Sequence, residues 1–532
     1  MLAEMLERLE EAKRRFGPGE GARTTELIAA VARERIGDAA SLIRFHEALL
    51  FLRAYPASAE VAREADRALA SFAERVAGME GLDEPEVSGI AGTAFSAVFS
   101  YDVARRLAAA YPERIDIDWE GYETDRLGRW FRRFLPLVEE DWTVEANVPY
   151  LDWLRAAKGG AGPDLPFILK RMEADQYDSL ELPLRWELGE TEATRTRARM
   201  PAGPMFFHDG PLIRRCSLAE EIPELEVVRL SRAEGKRAIE QAVDMSAPRY
   251  RELYGFTYGD PGLVLRAEAG RGVRFTLWGV APERRLPLRA YHCAVMSKNG
   301  VPVGYVETLS LFERMEVGFN VYYTFREGES AWLYTRLMRL FRQLTGVTCF
   351  SVDPYQIGRH NEEAIDSGAF WFYRKLGFRP VRERAARRLA VEEQRIAADR
   401  AYRTPAATLR KFAAGYMVYD EEGSWDRFRV RHLGLAVQRR MAERFGGDAK
   451  KMRRAAVAAV ERALGIELEP AQEAWALVLA LIPDLGRWTP EEKRGVARIL
   501  RAKTGPDESR YLRTMAGHRR LRQEILRLGS GG

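Results

Sequence analysis

The chain has 532 residues, enough for roughly three domains of ordinary size. Hydrophobic residues make up 46% and charged residues 30%, as in a globular protein, and the 83 basic and 78 acidic side chains are interleaved without a polybasic block of the kind that binds nucleic acid. The longest apolar runs are shorter than the roughly 18 residues that cross a bilayer, and the N-terminus lacks the apolar core of a signal peptide, so we expect a cytoplasmic protein without membrane contacts.

The first 160 residues predict a helical domain. Apolar residues recur at helical spacing from Leu42 to Leu52, and Pro56 ends that pattern. Two acids, Asp116 and Asp118, stand two residues apart; this spacing favours a polar turn over a metal site, and we expect no bound metal. Repeated prolines then interrupt residues 161–225, so this segment predicts an irregular connector.

Residues 226–400 change character, because runs rich in β-forming residues replace the helical spacing. Five runs favour strands: Arg274–Val280, Leu288–Ser297, Val301–Leu311, Glu316–Phe325 and Thr348–Val352. Asn299-Gly300 separates the second run from the third and predicts a tight hairpin, since both residues tolerate positive φ. The apolar stripe of Ser330–Leu344 predicts a helix between the fourth and fifth runs.

The last segment, residues 401–532, predicts a helical region. Its clearest signal is Thr489-Pro490-Glu491-Glu492, which combines an N-cap threonine, a proline in the first position and acids in the first turn.

The turn from Arg326 to Ala331 is the strongest candidate for a binding site. It places Gly328 and Ser330 at the start of a helix, where main-chain N–H groups have no helical acceptor. Those groups and the helix dipole favour an anion such as a phosphate. The strand–helix–strand spacing around the turn also fits a parallel crossover, so the sequence predicts a phosphate-bearing ligand at the end of a mixed sheet.

Three features of residues 226–385 resemble the GNAT acetyltransferase superfamily. The hairpin Val295–Tyr305 is similar to the central strands of that family. The turn at Gly328 resembles its pyrophosphate loop, Gln/Arg-x-x-Gly-x-Gly/Ala. The most specific match is to its late helix and the strand that follows, Ala369-x-x-x-Tyr373-x-Lys375-x-Gly377-Phe378.

The resemblance implies an α/β GNAT-like domain, with a mixed, mostly antiparallel sheet and flanking helices, between mainly α-helical N- and C-terminal regions. It implies an N-acyltransferase that moves an acetyl or other acyl group from acyl-CoA to an amine of a small molecule or a protein. Tyr373 matches the tyrosine that protonates the departing thiolate in that family. The residues implied to hold acetyl-CoA lie in the fourth strand and the turn: Val321, Tyr323, Arg326, Gly328, Glu329, Ser330 and Ala331.

Acyl transfer to an amine also needs a group that takes the ammonium proton. Glu307 in the third strand and Asp353 after the fifth strand are the candidates for this base. The alternatives are a surface strand residue for Glu307, a turn cap for Asp353, and a core aromatic for Tyr373.

The predicted pyrophosphate loop departs from the family pattern. Phe325 stands where the family has Gln or Arg, and the variable positions that are often basic hold Glu327 and Glu329. Carboxylates repel a pyrophosphate at short range. A catalytically degenerate GNAT-fold protein with a binding or scaffold role is therefore the alternative function.

Overall fold

The computed structural model describes residues 2–84, 87–141, 143–420 and 423–531. The chain divides into two compact units. Unit 1 contains Met1–Pro211, Arg237–Thr257 and Lys298–Pro302. Unit 2 contains Leu212–Lys236, Tyr258–Ser297 and Val303–Gly532.

Unit 1 combines helices with a small antiparallel sheet. Its helices are α1 (Leu2–Ala12), α2 (Glu20–Arg33), α3 (Ala39–Ala54), α4 (Ala59–Ala70), α5 (Tyr101–Ala110), α6 (Tyr150–Lys158), α7 (Leu165–Leu169), α8 (Ala174–Leu180), the later part of α9 (Arg232–Ser246) and α10 (Tyr254–Thr257). Among its described residues, the strands β1 (Ala94–Val98), β2 (Ile115–Ile117) and β3 (Pro183–Glu187) pair in the order β1-β3-β2. Helices α1 to α4 pack against one another, and the fully buried α3 residues Leu42, Phe45 and Leu49 belong to this core.

A buried ionic network joins α3 to residues 194–196 inside unit 1. Arg195 Nη2 lies 2.8 Å and 2.7 Å from the two carboxylate oxygens of Glu47, and both side chains are almost completely buried. His46 extends the network, because its Nε2 lies 2.9 Å from Thr196 Oγ1 and its Nδ1 lies 3.2 Å from Glu47. Burial lowers the pKa of His46, although Glu47 opposes this shift. We infer that the network fixes the 194–196 segment on α3.

The strands of unit 2 form a mixed sheet. In the part of the chain that the structure describes, nine strands pair in the order β11-β12-β10-β9-β8-β7-β6-β5-β4. They are β4 (Glu226–Arg229), β5 (Leu265–Gly270), β6 (Val273–Gly279), β7 (Ala290–Lys298), β8 (Val301–Leu311), β9 (Arg314–Val321), β10 (Cys349–Val352), β11 (Arg379–Pro380) and β12 (Met417–Tyr419). The pair β9–β10 is parallel, whereas β4–β5, β5–β6, β8–β9, β10–β12 and β11–β12 are antiparallel.

Helices lie before, between and after these strands. Those that follow α10 are α11 (Ser330–Thr345), α12 (Glu362–Asp366), α13 (Ala369–Leu376), α14 (Glu383–Ala398), α15 (Ala406–Phe412), α16 (Val430–Phe445), α17 (Ala449–Leu464), α18 (Glu473–Leu479), α19 (Pro490–Thr504), α20 (Glu508–Ala516) and α21 (Arg519–Gly529). The last six pack around the buried rings of Trp425, Trp475 and Trp488. None of the described helices has the length and apolarity needed to span a lipid bilayer.

The predicted fold class, a GNAT-like domain between mainly helical regions, is wrong. The described residues form a large nine-stranded mixed sheet and a separate three-stranded antiparallel sheet, and this combination does not match a compact GNAT fold. Strands β1 and β2 come from the region predicted to be helical, and β3 comes from the predicted connector. Strand β12 comes from the C-terminal region and inserts between β10 and β11. Each of these four strands has only three to five residues, too few to show alternation, and distant partners stabilise it.

Several local predictions are confirmed. Strand β8 has the predicted bounds, and α11 begins at Ser330 as predicted and extends one residue further. Helix α19 begins with the predicted Thr489 cap: Thr489 Oγ1 accepts from the Glu492 N–H, and the Glu492 carboxylate accepts from the Thr489 N–H. Such local hydrogen bonds need no distant partner, which is why the sequence shows them clearly.

The Asn299-Gly300 turn is also confirmed, since both residues have positive φ, 49° and 77°. In unit 1, the Gly300 carbonyl accepts from Met200 N at 2.7 Å. A Cβ at Gly300 would lie 3.0 Å from the Met200 oxygen, which is too close for easy relaxation.

Replacing Gly300 with alanine is expected to destabilise the protein by about 2 kcal/mol, from left-handed strain together with this contact. Gly446→Ala is the matched control, because Gly446 also has positive φ, 58°, but has open space around the Cβ position. We expect the control to cost about 1 kcal/mol. Urea unfolding of both variants checks the difference, and equal losses would contradict a role for the Met200 contact.

Candidate functional site

The parallel strands β9 and β10 separate soon after they pair. Their register covers only Arg314–Glu316 on β9 and Cys349–Ser351 on β10, whereas β9 continues to Val321. Tyr322 N donates to Val303 on the β8 side at 3.0 Å. Because main-chain groups alternate along a strand, the N–H of Val321 faces the opposite side, where β10 has already ended. Beyond Glu316, the side of β9 that faces β10 therefore has no paired strand; we call this place the gap, and the Arg326 side chain reaches the Val321 carbonyl there.

The turn after β9 leads directly into α11. Tyr323–Phe325 form one 3₁₀ turn, and Gly328 N donates to the Phe325 carbonyl at 2.9 Å. Helix α11 then begins at Ser330, and the Glu329 side chain does not cap it, so the amides of its first turn, including that of Ala331, have no acceptor from this side chain.

Two charged residues of this turn, Arg326 and Glu329, have partners that fix their side chains. Arg326 Nε donates to the Val321 carbonyl at 3.3 Å, and the guanidinium forms an ion pair with Glu363. The Glu329 carboxylate is completely buried; it accepts from Arg271 at 2.7 Å and from the Ile213 amide at 3.0 Å. An arginine thus balances the Glu329 charge, and the repulsion expected from this carboxylate is largely removed. Because the Glu329 side chain is buried with these partners, the contribution of Glu329 to the turn is its main chain.

Tyr373 lies on α13 among aromatic rings. Its ring packs edge-on against Tyr334, Phe372 and Phe378, and the side chain is 3% exposed. The hydroxyl is 3.5 Å from Gln356 Oε1, a long hydrogen bond. Burial raises the pKa of Tyr373, so the phenol keeps its proton throughout the neutral range. Both the catalytic and the core interpretation of Tyr373 fit this position.

Glu307 lies on β8 opposite Gly318 of β9, so the Glu307 side chain and a side chain at Gly318 would share one face of the sheet. The Gln356 amide nitrogen is 4.0 Å from the position of a Cβ on Gly318. Gln356 therefore lies between the Gly318 face and the Tyr373 hydroxyl. Gln356 is thus close both to the sheet face that carries Glu307 and to the Tyr373 hydroxyl.

The carboxylate of Glu307 is partly buried and accepts a hydrogen bond from the Tyr291 hydroxyl. Burial raises the pKa of Glu307, and the hydrogen bond from Tyr291 opposes this shift only in part. A carboxylate with a raised pKa is a better proton acceptor than an ordinary one. The position is therefore chemically suited to a general base.

Asp353 is placed differently. Its carboxylate accepts from Tyr355 N at 2.8 Å and caps the 3₁₀ turn Pro354–Ile357. It also has a hydrogen bond with Tyr416, whose pKa is raised by burial and further by the charges of Glu316 and Asp353. These contacts fit the alternative that Asp353 is a turn cap.

Sequence reasoning missed Gln356, Tyr291, Tyr416 and Glu316. Each is a single polar residue without a motif, and only the folded sheet and the turn after β10 show that it lies near the candidate residues. Asp116, the other acid considered, accepts from the main-chain amides of Asp164 and Leu165 in unit 1, each at 2.8 Å. The described residues contain no group of three or more His, Cys, Asp and Glu side chains arranged to hold a metal ion.

Comparison with known proteins gives no relative: no family model, no curated protein and no solved structure matches this chain.

Proposed function

We propose that the chain is an acyl-CoA-dependent N-acyltransferase whose reaction takes place where β9 and β10 separate. The observation that supports this proposal most is the separation itself, beside a turn that leads into the N-terminus of α11. An acyl-CoA ligand fits this arrangement, because the part of β9 beyond its pairing with β10 suits an extended amide-containing arm, and the N-terminus of a helix suits a pyrophosphate.

In this proposal, the amides of Ser330 and Ala331 hold the pyrophosphate together with the Gly328 turn, and Arg326 adds positive charge. The Val321 amide, which faces the gap, donates to the carbonyl oxygen of the thioester. Main-chain donors of this kind stabilise an oxygen that gains negative charge during acyl transfer. Acyl-CoA, when bound, supplies the acyl group as a thioester.

The acceptor is an amine. Its nitrogen forms the new C–N bond as the C–S bond breaks, Glu307 takes the proton from nitrogen, and Tyr373 donates its hydroxyl proton to the departing sulfur. Glu316 lies on the same face of β9 as Gly318, two residues away, and pairs with Arg314 at 3.9 Å. Glu307 therefore supplies the negative charge that favours an amine that is cationic before it loses its proton.

One observation favours the second candidate function, a catalytically inactive binding protein. The Tyr373 side chain is enclosed by aromatic rings, as a core residue would be. A protein of this kind would bind acyl-CoA without turning it over.

Calorimetric titration with acetyl-CoA tests the proposal, followed by a free-thiol release assay over a panel of amines. We expect saturable heat and amine-dependent thiol release. No heat at millimolar acetyl-CoA would refute both functions, whereas binding without thiol release for any amine would favour the inactive binding protein.

Gly318→Leu provides a sharper test of the acceptor position. An ideal Cβ at Gly318 makes no contact closer than 3.6 Å, so the variant is expected to fold. Its side chain would occupy the space between Glu307 and Gln356, and we expect kcat/KM for the amine to fall about 10-fold while acetyl-CoA affinity changes little. Unchanged amine kinetics would place the acceptor elsewhere.

A further inference from the structure

A cavity lies in unit 2, at the other end of α11 from the Gly328 turn. This cavity has a volume of about 200 Å³ and is bounded by the last turn of α11, by strands β5, β6 and β7, and by the start of α20. Since an α-helix rises 1.5 Å per residue, about 20 Å separates Phe341 in its wall from the Gly328 turn. The cavity is therefore distinct from the proposed acyl-transfer site.

The walls of the cavity are mainly apolar. Most of the apolar side chains come from β5, β6, the residue after β6 and α11, and they are Leu265, Leu277, Trp278, Val280, Phe341 and Leu344. A cavity of about 150 Å³ with walls of this kind is large enough to bind benzene. The cavity described here, at about 200 Å³, accommodates one six-membered ring together with a small polar group.

The charged groups around the cavity are predominantly positive. Arg229, Arg285 and Arg513 line it, together with Asp507 and Glu508. The Glu508 charge is already balanced by the buried Lys503, at 2.5 Å. Three arginines therefore remain against one carboxylate, and this balance favours an anionic guest.

Two buried polar atoms in the lining residues have no hydrogen-bond partner among the described residues. They are His292 Nδ1 and Arg285 Nε. The other ring nitrogen of His292 lies 3.3 Å from Ser509 Oγ, and Arg285 also donates to the Lys503 carbonyl at 3.0 Å. Buried polar atoms without a partner are rare in native proteins, so each of these atoms calls for an acceptor or donor.

The charge state of His292 follows from its surroundings. Burial lowers the pKa of His292, and the nearby charges of Lys503 and Arg285 lower it further, while Glu508 and Asp507 raise it. Burial is the largest of these effects, so the imidazole is neutral near pH 7. When Ser509 donates its hydroxyl proton to Nε2, Nδ1 carries the ring proton and becomes a donor.

We propose that this cavity binds a small monocarboxylate whose apolar body is about the size of one six-membered ring. The ring packs against the leucine, tryptophan and phenylalanine side chains. The carboxylate accepts hydrogen bonds from the arginines that line the cavity and from His292.

Calorimetric titration of the full chain with benzoate, and with benzamide as its neutral isostere, tests the proposal. We expect benzoate to bind about tenfold more tightly than benzamide, since a hydrogen bond to a charged group is stronger than one to a neutral group. Undetectable benzoate binding at millimolar concentration would overturn the proposal. Equal affinities would overturn the assignment of a carboxylate.

A pair of leucine variants shows whether binding occurs in this cavity. Leu265→Phe adds a ring to the cavity wall and is expected to abolish benzoate binding. Leu468→Phe makes the same change at a partly buried leucine outside the cavity, and it is expected to leave binding unchanged. Thermal unfolding shows that each variant is folded. If folded Leu265→Phe binds benzoate like the unaltered chain, benzoate binds elsewhere and the proposal fails.

Discussion

Replacing Glu307 with glutamine is expected to lower kcat/KM for the amine acceptor by about 100-fold, because a proton acceptor in such a transfer contributes at least this factor. Glutamine keeps the size of the side chain and still accepts the hydrogen bond from Tyr291. Steady-state kinetics with the best amine of the panel measure the loss. Acetyl-CoA affinity, measured by calorimetry, is expected to stay the same.

The pH dependence of the reaction gives a second readout for Glu307. A base works in its deprotonated form, so activity is lost as pH falls through its pKa. Burial raises the pKa of Glu307, and the midpoint of this loss is therefore expected above the ordinary value for glutamic acid. The acid limb should be absent from the profile of the Glu307→Gln variant. A profile with the same limb in both proteins would exclude Glu307 as the base.

The Tyr373→Phe variant tests the proposed general acid in the same way. The raised pKa of Tyr373 keeps the phenol protonated, so its loss should lower kcat by about 100-fold and leave acetyl-CoA affinity intact. Tyr101→Phe is the control, because it also removes one phenol hydroxyl from a hydrogen bond, at 3.2 Å to the Leu169 carbonyl in unit 1. A Tyr373→Phe variant with unchanged kcat would leave Tyr373 as a core aromatic.

The elements around the site that could be predicted are those with complete local signals. The apolar stripe of α11, the Asn299-Gly300 turn and the Thr489 cap each depend on residues within a few positions of one another. Strand β12 has three residues, and its place between β10 and β11 depends on hydrogen bonds to segments about 40 to 70 residues earlier in the chain. No local pattern contains that information.

The candidate site residues show the same division between local signals and contacts that only the fold creates. Tyr373 and Glu307 are sequence candidates, one by a motif and one by its strand position, but Gln356, which accepts a hydrogen bond from Tyr373, carries no motif. Glu329 shows how an interpretation from neighbouring residues alone fails. Next to a predicted phosphate site, the charge of its carboxylate predicts repulsion of the phosphate. The fold supplies Arg271, 58 residues earlier in the chain, as its partner. Charge balance in a buried site is set by tertiary contacts, which spacing along the sequence does not reveal.

Replacing Arg195 with methionine is expected to destabilise unit 1 by about 4 kcal/mol. The variant would leave the Glu47 carboxylate buried without its cation, and breaking one side of a buried ion pair has a cost of this size. Chemical denaturation followed by circular dichroism measures the change in the free energy of unfolding. Arg197→Met is the matched control: Arg197 lies two residues further and pairs with Glu190 at the surface, so its loss should cost about 1 kcal/mol at most.

A double variant separates the effect of charge from that of packing. Adding Glu47→Gln to Arg195→Met removes the isolated buried charge, so the double variant is expected to be more stable than Arg195→Met alone. His46 remains next to the side chain at position 47 as a hydrogen-bond partner, and Thr196 remains hydrogen-bonded to His46. If the double variant were less stable than the unaltered chain by the sum of the two single losses, the two side chains would contribute independently. The buried pair would then not be what holds residues 194–196 on α3.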